Sequence, residues 1–452
     1  MKRRIAFISE HASPLATLGG VDSGGQNVYV GELARNLIEL GYYIDIFTRW
    51  DNRALPEVVC WIPGVRVIHI KSGPIEVVEK EKLLPFMDEF TENMLSFIHK
   101  ERESYALIHA NFWMSAKVAA DLKKILGIPF VVTFHALGYV RKLHQGDDDK
   151  FPSERIDIER RIVEEADHII AECPQDKDDL ISYYDAHGSR ITIIPCGFNP
   201  HEFYPLDRFL ARMVLKLDPH EKLVLQLGRM VPRKGVDTVI KAVARVRTTG
   251  MNIRVLIVGG ETDEMDDEKN PEISRLKAIA LSEGVGEAVV FTGRKTRDVL
   301  RYYYAAADLF ITTPWYEPFG ITPLEAMACG TPVIGSKVGG IKYSVEDGKT
   351  GFLVPPRDEL ALSEKILEAL NDSSALQRMR ENAIARANAM FKWSNIAQSV
   401  SSLYQQVIYA HGSQLDKAKE KIRIVEDNLI QASKAFLKTK QLLSIPIMKL
   451  QT

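Results

Sequence analysis

The sequence predicts an α/β protein made of two Rossmann-like, doubly wound domains. Three observations carry that prediction: short apolar strands alternate with amphipathic helices, the alternation runs through the chain twice, and a Pro- and Gly-containing segment breaks it near the middle. With 452 residues, 46% of them hydrophobic, the chain is long enough to fill two cores.

The first series opens with Ile5-Ala6-Phe7-Ile8. Met1-Lys2-Arg3-Arg4 before it is basic, but the apolar run behind it is too short for a signal peptide, and no segment approaches the length of a transmembrane helix. Gly19-Gly20-Val21-Asp22-Ser23-Gly24-Gly25-Gln26-Asn27 follows, and then a helix whose Val30, Leu33, Ala34 and Leu37 share one face. A glycine loop between strand and helix is an anion site, although the spacing is not G-x-G-x-x-G and tight packing alone accounts for one or two glycines. Tyr43-Ile44-Asp45-Ile46-Phe47, Val65-Arg66-Val67-Ile68-His69, Phe130-Val131-Val132-Thr133 and Ile191-Thr192-Ile193-Ile194 continue the series. His135 follows the third of these, at the strand end where parallel sheets bind ligands, though a lone histidine is more often structural. Pro195-Cys196-Gly197-Phe198-Asn199-Pro200 predicts the linker.

The second series is Leu223-Val224-Leu225-Gln226-Leu227, Ile253 to Val258, Val289-Val290-Phe291, Leu309-Phe310-Ile311-Thr312 and Val333-Ile334. Directly after its first strand comes Gly228-Arg229-Met230-Val231-Pro232-Arg233-Lys234-Gly235, in which Arg229 offers a forked donor and Lys234 a mobile charge to adjacent phosphates. After Leu309 to Thr312 comes Glu317-Pro318-Phe319-Gly320-Ile321-Thr322-Pro323-Leu324-Glu325. Thr322 and Pro323 read as an N-cap and first helical residue, so the backbone from Phe319 to Thr322 offers free N–H groups to a diphosphate while the two Glu reach hydroxyls. Thr322-x-x-Glu325 fits a capping box equally well, which gives Glu325 a structural job instead.

Together with Arg229 and Lys234, the Glu317-x7-Glu325 spacing resembles the retaining glycosyltransferases of family 4, over almost the whole chain. That resemblance implies the GT-B fold, two Rossmann-like domains facing a cleft: residues 1–198 for acceptor binding, 199–394 for the nucleotide sugar, and C-terminal helices at 395–452 that cross back to the first domain from Phe391-Lys392-Trp393-Ser394. Asp22-Ser23-Gly24-Gly25-Gln26 and Val28-Tyr29-Val30-x-Glu32-Leu33-Ala34 resemble the sucrose-phosphate synthases more narrowly. The activity so implied moves glucose from UDP-glucose to fructose 6-phosphate, giving sucrose 6-phosphate. Arg229 and Lys234 then neutralise the diphosphate, and Gly24, Gly25, Phe319, Gly320, Ile321 and Thr322 approach the donor. Glu325 holds the ribose, and Glu317 and His135 orient the glucose. Gly24, Gln26 and Phe112 face the acceptor, with Lys71, Arg141, Lys142 and Arg155 as cations for its phosphate. His135-Ala136-Leu137-Gly138 matches the family pattern except at Ala136, where sucrose-phosphate synthases usually carry Ser; they carry Lys near Arg141 and Tyr near Phe112. These departures keep other phosphorylated acceptors open, such as inositol phosphate, and a catalytically silent sugar-nucleotide sensor retains the same donor residues. The resemblance implies no protein nucleophile, metal or cofactor: attack comes on the leaving group's own face, and the leaving phosphate takes the acceptor proton.

Composition bounds the alternatives. A formal charge of −2 provides no overall field for nucleic acid. Cys60, Cys173, Cys196 and Cys329 lack metal-ligand spacing and read as free thiols of a cytoplasmic protein. Asp147-Asp148-Asp149 has the look of a metal triplet but reads as a solvated loop. A glycoside hydrolase would pair Glu317 with Glu325, and the adjoining cations argue against it. An oxidoreductase would need a better dinucleotide fingerprint. From Gly412 onward, Lys417-Ala418-Lys419-Glu420-Lys421-Ile422-Arg423 included, the tail predicts one or two charged helices, either crossing back or left exposed for oligomer formation.

Overall fold

The computed structural model describes residues 3–16, 24–102, 104–260 and 270–442. Gly19, Gly20, Asp22 and Ser23 of the first glycine loop therefore lie outside the described residues.

The first sheet comprises β1 (Arg3–Ile8), β2 (Tyr42–Arg49), β3 (Val58–Ile62), β4 (Val65–Ile70), β5 (Leu107–Asn111), β6 (Phe130–Thr133), β7 (His168–Ala171) and β8 (Ile191–Ile193). Their order is β3-β4-β2-β1-β5-β6-β7-β8, parallel except for the edge pair β3–β4. The second sheet comprises β9 (Lys222–Leu227), β10 (Ile253–Val258), β11 (Val289–Phe291), β12 (Leu309–Thr312), β13 (Val333–Ser336) and β14 (Gly351–Val354). It is parallel throughout, in the order β11-β10-β9-β12-β13-β14. Continuous apolar runs such as Ile5 to Ile8 and Val255 to Val258 suit strands covered by helices on both faces, and they are buried here. The chain order reverses between β1 and β5 and again between β9 and β12. Each reversal leaves a crevice at the strands' C-terminal ends.

Four strands escape a reading based on apolar runs: β3, β5, β7 and β14. β3 is a half-buried antiparallel edge. β5 is central yet carries His109 and Asn111, both fully buried. Burial pushes His109 down to about 3, so the ring is neutral, and it shares a hydrogen bond of 2.9 Å with the Thr133 hydroxyl.

The linker is stitched to the return crossing. Phe198 N–H donates to the Phe391 carbonyl at 2.7 Å, and Trp393 N–H donates to the Phe198 carbonyl at 3.2 Å. Trp393 is buried, with its ring edge-on to Tyr29 at 5.6 Å. It starts a helix, Trp393–Leu442, whose Ser401 hydroxyl meets the Tyr42 hydroxyl at 3.0 Å. Both sheets belong to one compact unit that ends at Ser401; from Ser402 the rest of that helix forms a second unit, unbroken at Gly412. Among the described residues, no helix is long and apolar enough to cross a membrane.

The turn after β9 is pinned to the turn after β12. Gly235 takes φ +66°, its carbonyl accepts from the Thr313 hydroxyl at 2.8 Å, and Trp315 N–H donates to the Arg233 carbonyl at 2.9 Å. A Cβ at Gly235 would stand 2.0 Å from the Thr313 carbonyl oxygen. Gly235→Ala adds left-handed strain of about 1–2 kcal/mol to that clash, and the turn carrying Lys234 must move. The expected outcome is a lower melting temperature by calorimetry; a variant equal to wild type would contradict this account of the turn.

Candidate functional site

A cavity of about 370 Å³ opens at the two crevices, lined from both sheets. On the first-sheet side it meets Gly24, Gly25 and Gln26 at the start of the helix Gly25–Glu39, Phe112 after β5, and His135 after β6. On the other side it meets Gly228, Arg229, Arg233 and Lys234 after β9, and the run from Tyr316 to Thr322 with Glu325 after β12. The helix Ile321–Ala328 begins here too. A Cβ on Gly25 would lie 3.7 Å from Ile321 Cδ1, so the first residues of the two helices meet at the cavity.

The entry to Ile321–Ala328 corrects the capping prediction. Its N-cap is Gly320, at φ +89°, with no side-chain cap; Thr322 and Pro323 are the second and third helical residues. Only glycine adopts that backbone readily, so the chain turns into the helix two residues before Thr322. Glu325 consequently makes no capping box. Its oxygens accept from Arg297 Nη1 at 2.8 Å and the Tyr304 hydroxyl at 2.9 Å, and Arg297 also donates to Glu202.

Lys234 and Glu317 form an ion pair, with Arg233 Nη1 at 3.9 Å from the same carboxylate oxygen. Burial pushes the Glu317 carboxyl up, but Lys234, Arg233 and Arg229 outweigh it and leave Glu317 below the usual range. Burial pushes Lys234 down, Arg233 and Arg229 add to this, and Glu317 only partly opposes it. Arg233 and Lys234 thus converge on one carboxylate oxygen, and the charge of Arg229 adds to theirs there. Clustered cations of this kind suit an anion of two or more charges.

His135, at φ +58°, has both ring nitrogens engaged: Nδ1 lies 3.0 Å from Glu172 Oε1 and Nε2 lies 3.2 Å from Asn111 Oδ1. Gln26 donates from Nε2 to the Ser9 hydroxyl and the Asn111 carbonyl, each at 3.2 Å. Behind His135, burial first and the Glu172 charge second raise the Asp176 carboxyl well above its ordinary value.

The four expected phosphate cations separate. Arg141 lines the cavity, paired with Asp149 at 3.0 Å and stacked 4.9 Å from the Phe151 ring, which explains the third aspartate of the acidic triplet. Lys71 and Lys142 are exposed and do not line it. Arg155 does not line it either: it is buried, donates from Nε to Glu159 at 2.8 Å and from Nη2 to the Ala136 carbonyl at 2.5 Å. Glu159 in turn accepts from Gly138 N–H at 2.9 Å. Arg155 therefore fixes the segment that follows His135, while its Nη1 has no hydrogen-bond partner among the described residues. Among the described residues, no group of His, Cys, Asp and Glu could hold a metal ion.

Lys80, Arg297, Tyr316 and Phe151 also line the cavity and were not singled out from sequence. Arg294, another lining residue, had a legible signal: Val290-Phe291-Thr292-Gly293-Arg294 repeats the strand–Gly–Arg order of Leu225-Gln226-Leu227-Gly228-Arg229. Tyr316 joins the two sides, stacked on His144 at 5.0 Å, under the Arg233 guanidinium at 5.3 Å, and hydrogen-bonded to Gln145.

Residues 23–202 match the family model described as Glycosyltransferase Family 4, and residues 207–386 that described as Glycosyl transferases group 1. The D-inositol 3-phosphate glycosyltransferase of Corynebacterium glutamicum (strain R) is 36% identical over 411 residues, 90% of this chain and 97% of that protein. That of Acidothermus cellulolyticus is 35% identical over 413 residues, 90% and 91%. Among solved structures, sucrose-phosphate synthase from Thermosynechococcus elongatus superposes with TM-score 0.83 at 34% identity, covering 90% of this chain and all of that one. Anabaena Alr3699/HepE, solved with UDP and glucose, shares the fold at TM-score 0.69 and 22% identity, covering 89% and 99%.

Two measurements follow from the geometry. Arg155→Ala leaves Glu159 buried without its cation, a loss of about 3–5 kcal/mol, so its melting temperature should fall far more than that of Arg141→Ala; equal and small losses would refute the structural role of Arg155. Binding a diphosphate raises the depressed pKa of Lys234. Affinity for a diphosphate ester, measured by calorimetry, should therefore fall as pH rises through the free-state value, with proton uptake on binding in that range. Glu317→Gln removes the one group holding Lys234 up and should move this loss to lower pH; a shift to higher pH would contradict the pairing.

Proposed function

The chain belongs to the family 4 glycosyltransferases, and from that premise we propose that it transfers a hexosyl unit, with retention, from a uridine diphosphate sugar to a phosphorylated sugar or cyclitol. The observation that carries the proposal is the convergence of Arg233 and Lys234 on Glu317, with Arg229 in the same turn, beside the first residues of the helices Gly25–Glu39 and Ile321–Ala328, which suits a diphosphate. In the transfer, the bond from the sugar's C1 to the β-phosphate oxygen breaks. A bond from C1 to an acceptor oxygen forms on the same face, and the acceptor proton passes to the departing phosphate. The cations stabilise charge that grows on that phosphate, where preorganised donors act most strongly. Glu325, held by Arg297 and Tyr304, is oriented for the ribose hydroxyls, while Glu317 and His135 orient the sugar. Fixed cations make a metal unnecessary, so EDTA should leave turnover unchanged.

Glucose is the first donor sugar and fructose 6-phosphate the first acceptor to test, supported by the likeness to sucrose-phosphate synthase. A second reading, inositol phosphate as acceptor, is favoured by the names of the curated relatives. Phe112, Ala136 and Arg141 line the cavity and are also where the chain departs from the sucrose-phosphate synthases, so the choice rests on that wall.

Loss of one preorganised donor commonly costs about a hundredfold or more, which is the expected loss of kcat for Arg229→Ala and Lys234→Ala with folding retained. Wild-type turnover in both would refute the donor site. A matrix of nucleotide sugars against fructose, fructose 6-phosphate, inositol and inositol phosphate, read by mass spectrometry, tests the acceptor. A phosphorylated acceptor should be preferred by about ten- to a hundredfold in kcat/KM, and Arg141→Ala should narrow the gap. Equal use of neutral and phosphorylated acceptors would overturn the acceptor class and leave the donor site standing.

A further inference from the structure

The helix Trp393–Leu442 runs on past Ser401, and its second part carries a pattern that the transfer site does not use. From Leu415 the apolar positions Leu415, Ala418, Ile422, Val425, Leu429, Ala432 and Phe436 recur in the sequence at alternating intervals of three and four. Four heptads fit between residues 415 and 442, about 42 Å at 1.5 Å per residue, and seven of their eight core positions are apolar, the last being Thr439. A strict seven-residue repeat of this kind drives helices to supercoil against one another rather than onto a globular face. Leu415 and Leu429, both at the first heptad position, are 46% and 64% exposed, so the chain by itself leaves these two positions open.

We infer that two copies of this chain join through a parallel, in-register coiled coil over residues 415–442. The charges flanking the seam select this occupant. In a parallel pair, each g position faces the e position five residues on in the partner helix. Lys421 is a g position and Glu426 the matching e, both exposed, so they meet with opposite sign twice across the two-fold axis. The other pairings in that register, Gln414 with Lys419, Asn428 with Ser433 and Ala435 with Lys440, bring no like charges together. Small alanines at two d positions limit the buried area, so the dimer dissociates on dilution rather than being permanent.

Sedimentation equilibrium on the full chain, from about 1 to 100 μM, tests the inference. The expected result is a monomer–dimer equilibrium that Leu429→Lys weakens at least tenfold, while Ile430→Lys, one position off the seam, leaves it intact. Glu426→Lys sets Lys against Lys421 and should weaken association several-fold; adding Lys421→Glu should restore it. Turnover with saturating substrates should be equal in all these variants, because none lies in the transfer site. A monomer at every concentration overturns the inference, as does a monomer that instead binds vesicles of anionic lipid. A dimer indifferent to Leu429→Lys, or a double variant no better than Glu426→Lys, overturns the parallel seam.

Discussion

The chain is organised around a cluster of cations that the fold gathers beside one carboxylate. Arg229, Arg233 and Lys234 come from one turn after β9, and the carboxylate that opposes them, Glu317, comes from the turn after β12. These strands are neighbours where the sheet order reverses, so the turns must share one crevice. Gly235 lets the first turn approach the carbonyl of Thr313, and hydrogen bonds from Thr313 and Trp315 hold the two turns together. The proximity of the cations depresses Lys234 because burial and two like charges outweigh one carboxylate. A bound polyanion removes that conflict, so the groups most costly to assemble are those most rewarded on binding.

What was legible in the sequence was whatever depends on local order. The apolar strands show because burial on both sides requires unbroken hydrophobic runs, and the Gly–Arg…Lys–Gly turn shows because it follows such a run. β5 was illegible because His109 and Asn111 interrupt its pattern; each has a partner on β6 or just after it, Thr133 for one and His135 for the other. The capping of Ile321–Ala328 was misread for a related reason. Thr322-Pro323 is a good local start, yet the positive φ of Gly320 sets the entry, and neighbouring residues do not reveal a backbone angle.

Charged residues were the least legible, because sequence gives a charge but not its partner. Arg141 and Arg155 look alike as candidates, separated by fourteen positions. One pairs with Asp149 at the cavity wall, the other with Glu159 inside the domain, and only the first can exchange its carboxylate for a ligand without a buried loss. Arg155 still bears on the site, through the Ala136 carbonyl and the fixed path of the backbone beyond His135. Glu325 follows the same logic from the other side. The sequence offers a helix cap or a ribose ligand, and the structure supplies Arg297 and Tyr304, which hold the carboxylate in one orientation and deny it the cap.

The two halves of the cavity are mechanically joined at Tyr316. Its ring stacks on His144 and its hydroxyl bonds to Gln145, both on the helix Gly138–Gln145 that also carries Arg141. Its other neighbours are the Arg233 guanidinium and, next in sequence, Glu317. A displacement of that helix therefore moves Arg141 and the Arg233–Glu317 side together. Arg141 is held in place by Asp149, and a phosphate dianion that displaces Asp149 offers stronger charge to the same guanidinium. An acceptor phosphate binding at Arg141 would thus pull on the helix that braces Tyr316, which links acceptor binding to the geometry of the donor cations. Neutral acceptors lack that pull. Discrimination by phosphate in such a cleft is then partly a matter of affinity and partly of how well the donor side is assembled when the acceptor arrives.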